Sequence, residues 1–326
     1  MGGCRAQIIG VTGSVGKTTT KDFIATLLEG TLKVGKTYLN YNTKLTYPIT
    51  LLNRTGEEDV LVVELGMSEP GDIGRLIQMA APDVAVVTKI AYAHGAYFER
   101  GMVDIAKYKA EIFSHPKTKK CIFYQGLHAY PESISAMHGT KVSFSLEDRT
   151  ADYFLSQEYD VDEGGVRAYR LDPPYKQTHL LHNFLAAVSV ARQMGVSWDE
   201  IHRQVPKLRL PSMRFEQSEI GGVLFINDAY NANPDSMKAA LSHLPEPKEG
   251  GKRIAVLGMM ADMGESHAFF HREVGHFAQK YVDHLLVLGD EASPLYEAFQ
   301  EVQKPAEQYD RFEALAGRLK SLMRPG

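Results

Sequence analysis

Cysteine is nearly absent from this sequence of 326 residues, which contains only Cys4 and Cys121. The two residues are far apart and lack metal-ligand spacing, so no disulfide framework is indicated and a reducing compartment fits. No apolar run approaches the roughly 20 residues that span a bilayer, and no secretory signal pattern precedes the first predicted strand. We therefore expect a cytoplasmic protein without a membrane partner.

A strong charge of either sign is also missing, because the formal net charge is -4 at pH 7. This balance argues against a nucleic-acid partner. The sequence has neither internal repeats nor low-complexity segments. Its 44% hydrophobic and 23% charged residues are typical of a globular protein, and its length suits two domains.

Short apolar, β-branched runs alternate with helical patterns through the first half of the chain. The runs are RAQIIGV, DVLVVELG, DVAVVTKI and KKCIFYQG, and the helical patterns between them include GDIGRLIQMA and MVDIAKYKAEIF. Continuous apolar strands that alternate with helices predict a mostly parallel sheet covered on both faces.

The pattern changes between residues 141 and 171, where KVSFSL, ADYFLSQEYDV and GVRAYRLD predict antiparallel strands with a turn at 162–165. Two helical segments follow, and Pro211 marks a predicted domain boundary. Beyond it, VLFINDAY, a helix from Pro234, RIAVLGMM, a helix near 268–281 and HLLVLGD predict a second, smaller α/β unit. We expect domains at 1–210 and 211–326.

The stretch IGVTGSVGKTTT joins the first predicted strand to the first predicted helix. Its glycines let backbone N–H groups approach an anion closely, Lys17 adds positive charge, and the Thr18 hydroxyl can bind Mg²⁺. In the common phosphate loop, four residues separate a first glycine from the Gly-Lys pair, and Val11 occupies that first position here. The sequence therefore predicts a tighter variant of a phosphate loop, which by itself does not identify the reaction.

Several motifs together resemble the Mur ligase family of ATP-dependent amide ligases of peptidoglycan synthesis. Besides the loop they are NYNTKLTYPITLL (40–52), VVELGMSEPGDI (62–73), AHGAYFERGMVDIAKYKAEIF (93–113), HNFLAAVSVA (182–191), MRFEQ (213–217), NDAYNANPDSM (227–237) and GMMADMGESHAFFHREVG (258–275). The forms YNANPDSM and HREVG are most similar to the members that add D-alanyl-D-alanine. The resemblance implies an α/β fold in which a P-loop-containing, mostly parallel sheet domain precedes a smaller Rossmann-like domain.

The resemblance also implies ATP and Mg²⁺ as cofactors, and a UDP-muramoyl tripeptide and D-Ala-D-Ala as substrates of a monomeric enzyme. The family usually has a domain for the UDP-sugar before the phosphate loop and a further strand after a Pro-Gly such as 325–326. We therefore expect this first domain and this last strand to be absent, and the chain to bind ATP but form little amide product.

Carried over by motif, the catalytic group comprises Lys17, Glu64, His94 and Lys109, with two magnesium sites formed by Thr18, Glu64, His94 and Lys109. In the family the lysine at the position of Lys109 is carbamylated, whereas Lys107 is expected to be solvated. The expected nucleotide-binding residues are Gly13, Ser14, Val15, Gly16, Lys17, Thr18, Thr19, Asn42, Asn183, Arg214, Asp228 and Asn231.

Some positions leave alternatives open. His182 and Asn183 could instead cap a helix, and Asn231 with Asn233 could form a turn before Pro234. Asp262 and His271 are further candidates for the pocket of the amine substrate. Lys89, Ala186 and Met259 depart from the family pattern. These departures leave open an alternative function, that of a non-catalytic nucleotide-binding fragment or a ligase-derived binding protein. A third alternative is a simple P-loop NTPase that acts as a switch. The presence of Glu64, His94 and Lys109 together argues against it, because such a switch needs no second metal site.

Overall fold

The computed structural model describes residues 6–93, 95–135, 137–248 and 250–323. The chain divides into two compact units, of which the first comprises residues 1–91 and 97–211 and the second residues 92–96 and 212–326.

The first unit is built on a nine-stranded sheet with the order β2-β3-β1-β4-β5-β6-β7-β8-β9. Its strands are β1 (Gln7–Thr12), β2 (Val34–Lys36), β3 (Val60–Glu64), β4 (Val84–Val87), β5 (Lys120–Tyr124), β6 (Thr140–Ser145), β7 (Tyr153–Leu155), β8 (Asp160–Glu163) and β9 (Val166–Arg170). Pairs from β2 through β7 are parallel, which confirms the predicted mostly parallel sheet. The central strands are apolar along their length because helices cover both faces of such a sheet.

Seven helices belong to the described part of this unit: α1 (Lys17–Leu28), α2 (Tyr47–Leu52), α3 (Asp72–Met79), α4 (Met102–Ala110), α5 (Pro131–Ser135), α6 (Thr178–Gln193) and α7 (Trp198–Gln204). Helices α1 and α6 pack together over the sheet, and their apolar residues, such as Phe23 and Phe184, join Val86 and Phe144 in one buried core. This packing fixes the start of α1 against the carboxyl ends of β1, β3 and β4.

The prediction of antiparallel strands over 141–171 was partly wrong. The segment KVSFSL forms β6, which pairs in parallel with β5 and with β7, and ADYFLSQEYDV contains two strands rather than one. Only the β7–β8 and β8–β9 pairs are antiparallel. The predicted turn is confirmed, because Gly164 and Gly165 join β8 to β9 with φ of 61° and 81°, values that suit glycine.

The second unit contains a two-stranded antiparallel sheet and a three-stranded parallel sheet. Its strands are β10 (Glu216–Ile220), β11 (Val223–Asn227), β12 (Ile254–Leu257), β13 (His284–Leu288) and β14 (Ala306–Tyr309), and its helices are α8 (Pro234–Ser242), α9 (His267–Ala278), α10 (Ser293–Gln300) and α11 (Phe312–Leu322). The segment VLFINDAY was expected as a strand of the α/β unit, and it forms β11, which pairs with β10 in an antiparallel hairpin rather than with the parallel strands. The α/β class of the unit and the helix from Pro234 are confirmed.

Across the described residues, no helix is both long and apolar enough to cross a membrane.

Candidate functional site

The loop between β1 and α1 lies at the carboxyl edge of the parallel sheet. Gly13 and Gly16 have φ of 147° and 82°, a range that disfavours other residues. A Cβ on Gly13 would lie 1.9 Å from Thr88 Oγ1, and one on Gly16 would lie 2.1 Å from Asn183 Oδ1. Glycine is therefore required at both positions, because another residue would clash with these side chains and would also strain the backbone.

Hydrogen bonds to the segment after β4 hold this loop in place. The Ser14 amide donates to the Lys89 carbonyl at 3.0 Å, and the Ser14 hydroxyl donates to the Ala91 carbonyl at 2.7 Å. Thr88 Oγ1 donates to the Val15 carbonyl at 2.6 Å. These bonds orient the loop before any ligand arrives, so its conformation is built into the fold.

The loop ends at the start of α1, where backbone N–H groups without helical partners favour an anion. Gly16 is the N-cap of the helix, and no side chain caps it. The Lys17 ammonium lies over the loop, 3.0 Å from the Gly13 carbonyl and 3.4 Å from that of Ser14. The site thus offers N–H donors and a cation to phosphate oxygens.

A polar cluster lies next to this loop. Thr18 Oγ1 donates to Glu64 Oε2 at 2.9 Å, and the Asn42 side-chain amide donates to Glu64 Oε1 at 2.8 Å. Glu64 is 1% exposed at the end of β3. The structure therefore brings together three predicted residues from α1, β3 and the segment after β2.

The oxygen atoms of this cluster fit Mg²⁺. Among the residues that the structure describes, no three His, Cys, Asp or Glu side chains gather into a metal site. Mg²⁺ commonly takes one or two carboxylates and completes its shell with water and substrate phosphates. The Glu64 carboxylate and the Thr18 hydroxyl match that preference, and a phosphate loop adjoins them.

Lys109 is 1% exposed, near the end of α4. Burial, together with the positive charge of Lys17, lowers the pKa of Lys109 well below its usual value. In contrast, Lys107 is about half exposed and lies 3.8 Å from Glu132. The structure thus separates the two lysines as predicted, one buried beside the phosphate loop and one at the surface. His94 lies outside the described residues.

Asn183 and His182 belong to the second turn of α6, since this helix begins at Thr178 with Gln177 as its N-cap. A capping role for either residue is therefore wrong. Asn183 adjoins Gly16 of the loop, whereas His182 lies 3.0 Å from Glu147. Burial would raise the pKa of the Glu147 carboxyl, but hydrogen bonds from His182 and Ser145 and the charge of His182 hold it at about 2.

Arg214 and Asp228 lie close together within the second unit. The Phe215 amide donates to Asp228 Oδ1 at 2.9 Å, and the Arg214 guanidinium lies 4.1 Å from the centre of the Tyr230 ring. Burial raises the pKa of Asp228 to about 6, although the Phe215 amide and the charge of Arg214 oppose it. Met213 and Phe215 have φ of 57° and 53°, so backbone strain flanks Arg214 on both sides.

Two other groups of the second unit have local structural roles. Asn233 is the N-cap of α8 and forms a reciprocal capping box with Ser236. It therefore helps to open the helix, but it lies in extended backbone rather than in the predicted turn. Asn231 accepts a hydrogen bond from the Ala232 amide. His271 is fully buried, accepts from the Met260 amide and donates to the His267 carbonyl, so backbone groups occupy both ring nitrogens.

Sequence reasoning missed Thr88, Lys21 and Thr37. Thr88 follows β4, and a polar residue directly after a central strand could have indicated it. Lys21 is a lysine on the buried side of α1, 1% exposed, and its ammonium contacts the Thr37 carbonyl at 3.0 Å. Its position in phase with the apolar residues of the helix was the available signal.

Sequence comparisons agree with this arrangement. The profile of the Mur ligase middle domain matches residues 11–191, and that of the glutamate ligase domain of Mur ligases matches residues 213–326. A UDP-N-acetylmuramoyl-tripeptide–D-alanyl-D-alanine ligase of Bacillus subtilis is 34% identical over 280 residues, which is 82% of this chain and 59% of that protein. The Escherichia coli ligase of the same name is 30% identical over 88% of this chain and 65% of its own length. The chain spans about three fifths of the curated relatives that it matches.

Solved structures show the same architecture. MurF from Acinetobacter baumannii superposes with a TM-score of 0.84 at 26% identity, covering 98% of this chain and 71% of that one. MurF ligase from Thermotoga maritima in complex with ADP superposes with a TM-score of 0.83 at 28% identity, and the match covers 98% of this chain and 74% of that one. Together with the match of the middle-domain profile to more than half of the residues, these likenesses show that the chain belongs to the Mur ligase family.

Proposed function

We propose that this protein is an ATP-dependent ligase that joins D-Ala-D-Ala to the free carboxyl group of a UDP-muramoyl tripeptide. The observation that carries the proposal is the cluster of Thr18, Asn42 and Glu64 beside the Lys17 loop. A metal-binding carboxylate next to a phosphate loop suits phosphoryl transfer. The names and domain profiles of the matched relatives supply the substrate class.

In the proposed reaction, an oxygen of the substrate carboxylate attacks the γ-phosphorus of ATP, and the bond to the β–γ bridging oxygen breaks. ADP leaves and an acyl phosphate forms. The amine of D-Ala-D-Ala then attacks the acyl carbon, loses a proton and expels inorganic phosphate. The chemistry demands little covalent participation by the protein, so positioning and charge neutralisation dominate.

The first unit would supply most of these functions. Loop N–H groups around Gly13 and Gly16 and the Lys17 ammonium would bind the phosphates, which puts Ser14, Val15, Thr18 and Thr19 in contact range of the nucleotide. Thr18 and Glu64 would hold Mg²⁺, which neutralises phosphate charge when it is bound. The Asn42 amide orients the Glu64 carboxylate by a 2.8 Å hydrogen bond.

Lys109 is proposed to carry a carbamate. Its amine would add to carbon dioxide, form a nitrogen–carbon bond and release a proton, which replaces a cation by an oxygen-bearing anion. The Lys109 side chain is buried, and no carboxylate among the described residues pairs with it, so its charged ammonium form is unfavourable in free energy. The nearby positive charge of Lys17 makes that form still less favourable. A carbamate would remove the repulsion and offer oxygens to a second Mg²⁺, for which His94 is the other proposed ligand.

Arg214, Asp228 and Asn231 of the second unit, with Asn183 of the first, are proposed nucleotide contacts. An arginine fork suits phosphate oxygens, and an ionised aspartate suits ribose hydroxyls. The strained backbone on both sides of Arg214 supports a functional role, because such strain persists where the structure over-determines it. We further propose that the enzyme acts as a monomer in the cytoplasm.

The test is a product assay. The protein is incubated with ATP, Mg²⁺, a UDP-muramoyl tripeptide and D-Ala-D-Ala, and both phosphate and the amide product are measured. We expect phosphate release to depend on both acceptor and amine, and the Glu64→Gln variant to form no product. Because little amide product is expected from this chain, the assay must detect small amounts of it. Complete absence of amide product in the complete mixture, with ATP binding intact, would contradict the proposal and favour a binding role.

A further inference from the structure

Lys21 lies one helical turn after Lys17 on α1, and its side chain is buried although it is a lysine. The ammonium donates to the Thr37 carbonyl at 3.0 Å and to the Leu39 carbonyl at 2.5 Å, and it lies 3.6 Å from the Asp22 carboxylate. A buried cation is costly unless it is fully paired. Besides Asp22, its partners are two backbone oxygens of one short segment, residues 37–42, which we name the 37–42 segment.

The middle of the 37–42 segment has few other anchors. Tyr38 and Leu39 are 68% and 60% exposed, so apolar packing does not fix them. Leu39 has φ of 49°, a strained value for a residue with a side chain. The ammonium of Lys21 therefore stabilises a backbone conformation that the side chains of the segment do not favour.

Both ends of the segment contact the proposed metal-binding group. At one end, Thr37 Oγ1 accepts from the Glu64 amide at 3.0 Å. At the other end, Asn42 donates to the Glu64 carboxylate and its carbonyl accepts from the Gly66 amide at 2.8 Å. The segment thus fixes the backbone and the carboxylate of Glu64 at once.

We propose that Lys21 is a positioning residue, which holds the 37–42 segment so that Asn42 and Thr37 orient Glu64 for magnesium. In this role it acts through those two residues. This inference rests on the proposed function, since it assigns Glu64 to the metal. The two lysines of α1 then have different roles, because Lys17 binds the phosphates and Lys21 positions the Glu64 carboxylate.

The experiment compares Lys21→Met with Lys117→Met. Lys117 is a matched control in the same unit, because its ammonium donates to the Ala81 carbonyl at 2.9 Å and pairs with Asp83 at 2.9 Å, at the amino-terminal edge of the sheet. Hydrogen exchange of the 37–42 amides is measured by mass spectrometry. ADP affinity is measured by calorimetry with and without Mg²⁺.

For Lys21→Met we expect faster exchange in the 37–42 segment and about a tenfold higher Mg²⁺ concentration for half-maximal ADP binding, the effect of losing one charge-assisted hydrogen bond. ADP affinity without Mg²⁺ should stay within about twofold, because the phosphate loop is unchanged. Lys117→Met should change neither the exchange of that segment nor the Mg²⁺ requirement. Lys21→Gln keeps one donor and should give an intermediate result, and it carries the test if the methionine variant does not fold.

The outcomes are distinguishable. An unchanged Mg²⁺ requirement in both Lys21 variants would make Lys21 merely structural and overturn the inference. A loss of ADP affinity that is as large without Mg²⁺ as with it would also overturn the inference, because it would show that the substitution disturbs the phosphate loop. Failure of the unaltered protein to bind ADP in a Mg²⁺-dependent manner would instead overturn the proposed function, and this assignment with it.

Discussion

The central strands of the two units differ in burial. In the first unit β3 and β4 are buried at every position, and β1 at every position after Gln7. In the second unit β13 is mostly buried, but Val256 of β12 is 44% exposed and β14 is only half-buried throughout. A sheet covered on both faces excludes water, and electrostatic interactions are stronger there.

This difference explains which polar groups each unit can hold. The first unit buries Lys21, Glu64 and Lys109, each within a few per cent of full burial, among strands that leave them little freedom. The second unit keeps Arg214 and Asp228 in a strained, half-buried hairpin region. The comparison teaches that the buried sheet, rather than the loop motif by itself, is what fixes charged side chains for chemistry.

Removal of the phosphate-binding cation should have the largest effect on nucleotide binding. We expect Lys17→Ala to lower ATP affinity by roughly 100-fold or more, because charge-assisted hydrogen bonds to phosphate each contribute about 1.5–3 kcal/mol. Calorimetry in Mg²⁺ measures it. Lys36→Ala is the control, since Lys36 is an exposed lysine paired with Asp22 in the same unit and should bind ATP normally. Unchanged affinity in Lys17→Ala would contradict the loop assignment.

The buried lysine of α4 should be the next most sensitive position. Lys109→Ala should lower ligase activity by about 10- to 100-fold, as loss of a metal-orienting group does, and short carboxylates such as acetate or formate should restore part of it. Lys107→Ala, at a half-exposed site, should remain active. Rescue of Lys107→Ala instead would show that the modified lysine was assigned wrongly.

A core substitution tests the burial difference directly. Phe144 is 1% exposed in the core of the first unit, and Phe144→Ala should lower the free energy of unfolding by about 3–5 kcal/mol. Val256→Thr, on the exposed side of β12, should change it by less than about 0.5 kcal/mol. Urea unfolding followed by circular dichroism measures both. An equal decrease in the free energy of unfolding for both variants would mean that the two sheets are equally sensitive to packing, and would contradict the difference in burial between the two units.

The smallest expected effect concerns the pH dependence of the second unit. The pKa of Asp228 is about 6 in the fold and near 3.8 when it is unfolded. The folded state therefore binds more protons, and this group costs stability as pH rises from about 4 to above 6. Asp228→Asn, which cannot ionise, should be more stable by about 1–2 kcal/mol above pH 6, after allowance for partial exposure.

That gain should vanish below about pH 4, where Asp228 is protonated in both states. Thermal unfolding of the variant and the unaltered protein across pH 4–8 measures the difference. Glu219→Gln, at an exposed position of β10, is the control and should show no such gap. A gap that grew toward acid pH would reverse the sign and contradict the assignment.

The sequence by itself determined many of the local elements of this protein. The strand–loop–helix around Gly13 to Thr18, the helix from Pro234 and the turn at Gly164 and Gly165 follow from glycine, proline and periodicity, which act over a few residues. The apolar run DVLVVE also placed Glu64 at a strand end, whereas the distinction between Lys109 and Lys107 came from the resemblance to the Mur ligase family. These are local signals, and local signals are readable in a sequence.

Only the tertiary structure decided the rest. Whether KVSFSL runs parallel or antiparallel depends on its partner β5, about twenty residues earlier, and the strand itself is apolar in either case. Asn183 lies against Gly16 because α1 and α6 pack together, and Lys21 reaches the 37–42 segment because α1 packs beside β2. The helical phase of Lys21 indicates that it is buried but not which residues it contacts, since a side chain's partner is set by how the elements pack together.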